Sequence, residues 1–363
     1  MAPEAQLRPA AAVLLAGLLF GGAGWVNGDA AVYAAQAVEG DLAQRTVHLG
    51  WIAVASMVAA VSGEGGGWLL DVVHAAFGAG AVVAVVRIQG QEAAGWLAAA
   101  AVLPIAAFAE VDLPWIALLL AGLAGSGGWT AMCVALAVSV SPVALLAVPW
   151  AACRGQPRWV VGGASLAVVT LSAYSGGDWW LGDRGVLMGP APLIGRTLAA
   201  WAANVAPVAV AVGVLGMSWR TALLLPLLLA PPDVATWGLI GCALVAEGPA
   251  RPWSLGLRVL VAGQLGLSTG ALVATHRSVR ADTRLVEKTA ADMGPDEGLI
   301  APWTWGVRVS LAATGDPYGL PWMPPTGPVR DQERWCDDPP SSHRALHAAD
   351  DLAWCAHRTR VEP

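Results

Sequence analysis

Long apolar stretches separated by short polar loops limit the possible folds of this 363-residue chain more than any other feature. The clearest stretches are residues 9–26, 67–88, 92–109, 159–176, 193–218 and 253–275. A helix of about 20 apolar residues crosses the roughly 30 Å hydrocarbon core of a bilayer. Of the 46 charged side chains, 23 lie in the first 275 residues and 23 in the last 88. Because soluble domains carry about 25% charged residues, we predict a polytopic all-α membrane domain at 1–275 and a small soluble domain at 276–363.

Arginine placement predicts the membrane topology. Residues 47–62 form either a span or a helix lying in the interface. Residues 113–153 are broken at Gly125-Ser126-Gly127-Gly128 and at Ser141-Pro142, and they hold two long or three short spans. Cytoplasmic loops are enriched in arginine and lysine. With a cytoplasmic N-terminus and an interfacial helix at 47–62, six arginines fall at cytoplasmic ends: Arg8, Arg87, Arg154, Arg158, Arg220 and Arg251. We therefore predict about 11 transmembrane helices, one interfacial helix and an extracytoplasmic C-terminal domain.

The tail at 276–363 is predicted to be a small α/β domain. Residues 282–293 have an amphipathic helical pattern, and residues 298–301 form a strand candidate. Cys336 and Cys355 are the two cysteines of the tail and fall on the oxidising side of the membrane in this topology. We expect a disulfide between them, and two free thiols are the alternative. The net charge of −6 and the lack of a basic patch argue against a nucleic-acid partner.

Two acidic features fall on the outer face in this topology. The first outer loop, residues 27–66, begins with Gly28-Asp29 and contains His48-Leu49-Gly50-Trp51. The second feature is Ala109-Glu110-Val111-Asp112, between two apolar spans. Carboxylates at membrane depth are costly and tend to be functional. The alternative for both features is a solvated acidic loop.

The order of these motifs resembles the GT-C superfamily of membrane glycosyltransferases, and most nearly its bacterial protein O-mannosyltransferase-like branch. Members of that branch have a Gly-Asp motif after the first span, a His-x-x-Gly-Tyr-like stretch before an interfacial helix, and an Ala-Glu-Val-Tyr motif opening a later span. Gly28-Asp29, His48–Trp51 and Ala109–Asp112 occupy these places in order. The resemblance covers roughly residues 9–153 by motif order and the remainder by architecture. The chain departs from the pattern at Val32, where a second acid is frequent, and at Asp112, where tyrosine is usual.

This resemblance implies a hexosyltransferase at the outer face of the bacterial cytoplasmic membrane. A polyprenyl-phosphate-linked sugar is the implied donor, and a hydroxyl of a protein, lipid or glycan is the acceptor. Asp29 is the expected base, and in-line displacement would invert the anomeric centre. Glu110 is the expected second carboxylate, which positions the acceptor or holds Mg²⁺ or Mn²⁺, since these ions prefer oxygen ligands. His48 and Asp112 are expected at the substrate by their motif positions.

The leaving group of such a donor is a phosphate, which arginine binds with its planar fork. Three arginines lie on the predicted outer face: Arg45, Arg184 and Arg196. Trp179 and Trp180 lie in a loop that suits a lipid-phosphate headgroup, although tryptophans also simply anchor helices at the interface. Asp71 and His74 are three residues apart on one helical face, where we expect them to pair with each other. The alternatives are that they line the site or bind a metal ion.

Two other function classes stay open at this point. A small-molecule transporter is one, although the spans contain few central charges and no evident repeat with matching broken helices. A non-catalytic membrane scaffold or assembly protein is the other, because Val32 and Asp112 depart from the glycosyltransferase pattern.

Overall fold

The computed structural model describes residues 3–24, 32–36, 48–62, 67–107, 112–175, 219–229, 234–248, 254–293, 298–300, 303–315, 319, 322–323 and 343–345. Over these residues the chain is mostly helical. Its contacts divide it into two compact units. Unit 1 comprises Met1–Gly22 and Asp41–Thr275, and unit 2 comprises Ala23–Gly40 and His276–Pro363.

Unit 1 is built from helices. They are α1 (Pro3–Phe20), α2 (Leu49–Ser62), α3 (Gly67–Gln89), α4 (Glu92–Val102), α5 (Asp112–Ala124), α6 (Gly128–Val140), α7 (Ala144–Arg154), α8 (Pro157–Ser175), α9 (Val234–Glu247) and the first part of α10 (Leu255–Asp292). Short 3₁₀ helices occupy Leu103–Ile105 and Trp219–Leu229. Helix α3 packs against α1, α4 and α5, and α6 packs against α5 and α8.

Small residues on α1 and α3 allow these helices to approach closely. A Cβ atom on Gly17 of α1 would collide with the Cβ of Ala75 on α3. A Cβ on Gly78 of α3 would lie 3.0 Å from side-chain carbons of both Val13 and Leu113, which belong to α1 and α5. Three helices therefore meet at positions where glycine removes the side chain that would separate them.

The breaks between helices follow local sequence. Helix α3 ends at Gly90, whose φ is 69° and whose N–H donates to the carbonyl of Val86 at 2.7 Å, an arrangement that glycine adopts readily. Helix α6 ends at Ser141, which is extended because the next residue is Pro142. As a result, the apolar block at 113–153 forms three helices, which is the shorter-span arrangement of the two expected from sequence.

Length separates the helices into two groups. Among the described residues, Trp68–Gln89 and Leu255–Asp292 are long and apolar enough to cross a membrane. The helices α5, α6 and α7 have 13, 13 and 11 residues, so each rises only about 16–20 Å, less than the roughly 30 Å of a hydrocarbon core. The sequence predicts about 11 transmembrane helices, three of them short spans within 113–153, and the part of the chain that the structure describes contains two helices long and apolar enough to cross a membrane.

Unit 2 contains the second part of α10, a short helical segment at residues 32–36, helix α11 (Trp303–Thr314) and three short strands. The strands β1 (Gly298–Ile300), β2 (Trp322–Met323) and β3 (His343–Ala345) form a parallel sheet in the order β2-β1-β3. Leu299 of β1 pairs with Trp322 on one side and Arg344 on the other.

We predict that Gly17→Ala lowers the free energy of unfolding by about 1–3 kcal/mol, because the new methyl group forces α1 away from Ala75. Gly80→Ala is the matched control, since a Cβ atom there meets nothing within 4 Å. The control gains helix propensity and should keep or raise the melting temperature. Thermal unfolding of the purified variants measures both, and equal melting temperatures for the two would contradict this packing.

Candidate functional site

The structure describes a minority of the residues expected at the site. His48 is described fully, and Asp112 is described as the first residue of α5 by its backbone alone. The other predicted site residues lie outside the described residues: Asp29, Arg45, Glu110, Trp179, Trp180, Arg184 and Arg196. The expected disulfide partners Cys336 and Cys355 also lie outside them. The roles expected for these residues stay predictions.

His48 is buried at the start of α2 and fastened to the end of α6. Its Nδ1 lies 2.7 Å from the carbonyl oxygen of Val140, so Nδ1–H donates to this carbonyl in the corresponding tautomer. The backbone carbonyl of His48 accepts the N–H groups of Trp51 and Ile52, both at 3.0 Å, and thereby begins the helix. The imidazole thus joins the first turn of α2 to a carbonyl at the end of α6 that has no helical partner of its own.

Gly50 and Trp51, the next residues of the motif, also pack against other helices. A Cβ atom on Gly50 would lie 3.0 Å from the backbone nitrogen of Val140, so glycine lets α2 approach α6 closely. Trp51 is 2% exposed, and its ring meets that of His74 edge to face with centroids 6.1 Å apart. The position of His48 in this motif predicts a contact with the substrate. The described contacts give its histidine, glycine and tryptophan a packing role, and the substrate role of His48 stays a prediction.

The expected pairing of Asp71 with His74 is wrong. Asp71 Oδ2 accepts a hydrogen bond of 2.6 Å from the N–H of Gly22, just past the end of α1. Neither ring nitrogen of His74 has a hydrogen-bond partner among the described residues. Asp71 bonds to Gly22 because the chain just after α1 lies very close to α3. A Cβ atom on Gly21 would be 3.1 Å from the Cβ of Asp71.

We call four buried residues at the start of α2 and in the first half of α3 the Trp51 cluster: His48, Trp51, Asp71 and His74. His48 is 6% exposed, Asp71 5% and His74 0%. Burying a polar group that lacks a hydrogen bond costs on the order of 1–3 kcal/mol. An apolar side chain at position 74 would avoid this cost, so the buried histidine is a candidate functional residue. Within the described ranges, no group of three or more histidine, cysteine or acidic side chains is arranged to hold a metal.

A second polar group lies at the opposite end of α3, and we call it the Glu247 cluster: Gln89, Arg154, Arg220 and Glu247. Arg154 donates to Glu247 at 2.6 Å, and Arg220 lies 3.8 Å from the other carboxylate oxygen. The side-chain amide of Gln89 donates to the carbonyls of Val245, Ala246 and Gly248 and caps the end of α9. A cavity of about 30 Å³ beside Arg154 has room for a water molecule and is too small for a sugar.

In unit 2, side chains of α10 and α11 contact the residues on both sides of residues 25–31. Thr283 Oγ1 lies 2.9 Å from the carbonyl of Ala23 and accepts a hydrogen bond of 3.2 Å from Arg308. Burial lowers the pKa of Arg308, and the charge of nearby Asp282 opposes that shift. On the other side, Val32 packs against the buried Val307, with Leu311 beside it.

The close approach of the backbone to α10 requires glycine at position 24. Its φ is 114°, a conformation that side chains other than glycine rarely adopt, and a Cβ atom would collide with Thr283 Oγ1. Thr283 and Arg308 are not among the residues that the sequence motifs predict at the site. The available signal was Arg308 itself, which is the single charged residue in α11 and stands between Val307 and Val309, both fully buried.

No family model, curated protein or solved structure matches this chain. The resemblance to membrane glycosyltransferases therefore stays a hypothesis that depends on the motifs themselves.

We predict that His48→Ala lowers the free energy of unfolding by about 1–3 kcal/mol, because the buried carbonyl of Val140 loses its donor. His48→Asn is the matched variant, since its side-chain amide offers an N–H close to the position of Nδ1 and should preserve most of the stability. Chemical unfolding of both variants tests the bond. Equal losses of stability in the two variants would show that the hydrogen bond contributes nothing.

Proposed function

We propose that this chain is a membrane-embedded glycosyltransferase. It moves a sugar from a polyprenyl-phosphate carrier to an acceptor hydroxyl at the outer membrane face, and Asp29 acts as the base. The observation that carries the proposal is that the described residues on both sides of Asp29 make contacts within unit 2. Thr283 Oγ1 lies 2.9 Å from the carbonyl oxygen of Ala23, six residues before Asp29, and Val307 packs against Val32, three residues after it. A general base works only when it is held close to its productive position.

The membrane part of the proposal is supported by where the polar groups of α3 lie. Asp71 is near the start of this helix and Gln89 is its last residue. The 18 residues of separation correspond to about 27 Å at 1.5 Å per residue, close to the thickness of a hydrocarbon core. The intervening residues up to Arg87 contain one polar side chain, that of His74. In this reading the Trp51 cluster lies toward the outer face and the Glu247 cluster toward the cytoplasm.

Exposed apolar side chains support the same assignment. Large hydrophobic residues are exposed along several helices of unit 1: Leu15 and Leu19 on α1, Met57 and Val61 on α2, Leu166 and Val169 on α8, and Val259 and Leu267 on α10. Soluble monomers rarely expose large contiguous apolar patches, whereas lipid chains solvate them without cost. The short helices α5, α6 and α7 then lie within the bundle as half-spans, and α2 lies in the interface.

The proposed reaction follows from the chemistry of the donor. Asp29 removes the proton of the acceptor hydroxyl as its oxygen attacks the anomeric carbon of the sugar. The bond from that carbon to the phosphate oxygen breaks, and polyprenyl phosphate leaves with the bonding electrons. Attack opposite the leaving group inverts the anomeric centre. Arg45, Arg184 and Arg196 are the proposed partners of the phosphate, while Glu110 positions the acceptor or holds a divalent ion.

Two competing function classes are a non-catalytic scaffold and a transporter. The first is suggested by the departures from the motifs at Val32 and Asp112, and the second by the burial of His74. Val32 packs against the buried Val307 in unit 2, and such a packing role serves a scaffold protein as well as an enzyme. A buried histidine on a long apolar helix is a feature of transporters. Substrate-dependent uptake into liposomes would favour a transporter. Normal product formation by a variant lacking both Asp29 and Glu110 would favour a scaffold that copurifies with another enzyme.

We predict that Asp29→Asn lowers sugar transfer by about 10²–10⁴-fold, because the amide cannot accept the hydroxyl proton. The assay measures polyprenyl phosphate released from polyprenyl-phosphate mannose and, in parallel, from the glucose analogue. A membrane extract supplies the acceptor. Asp41→Asn, in the same loop, is the matched control and should retain activity. Native-like yield and melting temperature would show that the Asp29 variant inserts and folds. An active Asp29→Asn protein would remove Asp29 as the base.

A further inference from the structure

Four cations lie along one face in the second part of α10, and we call them the basic stripe: Arg277, Arg280, Arg284 and Lys288. Their spacings of three, four and four residues place them on the same helical face. All four are exposed. Within the part of the chain that the structure describes, none of the four forms an ion pair. The basic stripe therefore presents its charge directly to the surroundings of the helix.

The charges of the basic stripe repel one another. Arg280, Arg284 and Lys288 are successive i, i+4 neighbours, and like charges at this spacing destabilise a helix. A helix face that meets only water commonly alternates cations with acids. In this segment the exposed acids are Glu287 and Asp292, so four exposed cations stand against two exposed acids. An anionic partner would remove the repulsion and balance the excess charge.

The basic stripe begins where the apolar part of α10 ends. The helix is continuous from Leu255 to Asp292, and residues 259–275 contain no charged side chain. Residues 255–275 rise about 30 Å, which matches the hydrocarbon core of a bilayer. Arg277 and Arg280 follow about 3 and 8 Å further along the axis, at the depth of the headgroups. Because helical side chains tilt toward the N-terminus, these two arginines reach back toward the membrane.

The apolar part of α10 is also exposed on the face that carries the basic stripe. Val259 precedes Arg277 by about five turns, lies on the same face and is 65% exposed. Leu267, between them, is 63% exposed. A phospholipid can therefore place its acyl chains along the apolar part and its phosphate at the first arginines. Arginine suits this phosphate because its planar fork binds two oxygens at once.

We infer that Arg277 and Arg280 bind the phosphate of an anionic phospholipid at the point where α10 leaves the bilayer. In the proposed topology this lipid belongs to the outer leaflet. Arg284 and Lys288 lie about 14 and 20 Å beyond the hydrocarbon core, so the lipid is held by the first two cations of the stripe. The inference depends on the membrane location in the proposed function and makes no use of the transferase chemistry.

Native mass spectrometry of the detergent-solubilised protein, titrated with lipid, tests this site. The probes are phosphatidylglycerol and phosphatidylcholine of equal chain length, and the readout is the ratio of their first binding constants. We expect the wild-type protein to prefer phosphatidylglycerol. Arg277→Gln with Arg280→Gln should lower the ratio about 25-fold, because each basic residue at an anionic surface strengthens binding about fivefold.

Arg284→Gln with Lys288→Gln is the matched control, because it removes the same charge from the same helical face. These positions lie beyond the Debye length of about 8 Å, so the ratio should stay within about threefold of the wild-type value. An unchanged ratio in the variant at 277 and 280 would overturn the site. Equal losses in the two double variants would also overturn it, since the stripe would then attract any polyanion.

Two further outcomes separate this inference from the proposed function. A protein that stays soluble without detergent would contradict the membrane location and both proposals with it. Ser278→Cys, in the same segment, can be labelled with a membrane-impermeant maleimide. Labelling from the cytoplasmic side alone would contradict a transferase at the outer face, whereas selective binding of phosphatidylglycerol by the same protein would still support the lipid site.

Discussion

The apolar length of α3 is the constraint on which the remaining structure of unit 1 depends. Between Asp71 and Arg87 this helix offers its neighbours a surface that is almost wholly apolar, so polar side chains gather at its two ends. At one end the carboxylate of Asp71 accepts a hydrogen bond from the N–H of Gly22, just past the end of α1. At the other, Gln89 closes the last carbonyls of α9. Glycines at positions 17 and 78 then allow α1 and α5 to pack directly on the apolar middle.

Much of the helical order was predictable from the sequence because it depends on local signals. Apolar length predicted α3, and the glycines near residue 125 together with Ser141-Pro142 predicted the breaks on either side of α6. The partners of polar side chains were not predictable, because they come from distant parts of the chain. Spacing on one helix suggested that Asp71 pairs with His74, whereas the carboxylate bonds to Gly22, 49 residues away. Gln89 likewise reaches carbonyls more than 150 residues away.

At the candidate site, too, local sequence motifs were recognisable, whereas contacts between residues far apart in the chain were not predictable. Sequence motifs drew attention to the loop containing Asp29 and to His48. They gave no indication that Thr283 and Arg308, near the other end of the chain, hold the residues before that loop. Nor did the motif at His48 reveal that its histidine and glycine serve the contact between α2 and α6. A sequence motif can thus reflect residues that the packing of the helices requires. Whether the same residues also bind substrate has to be tested by a separate experiment.

The central claim is that the chain uses a polyprenyl-phosphate donor. Native mass spectrometry of the detergent-purified protein tests this claim most directly, because it needs no knowledge of the sugar or the acceptor. We expect a copurifying adduct with the mass of a polyprenyl phosphate or of its glycosylated form, present in addition to any phospholipid. Binding of ordinary phospholipids alone, even after polyprenyl phosphate is added in excess, would contradict the claim.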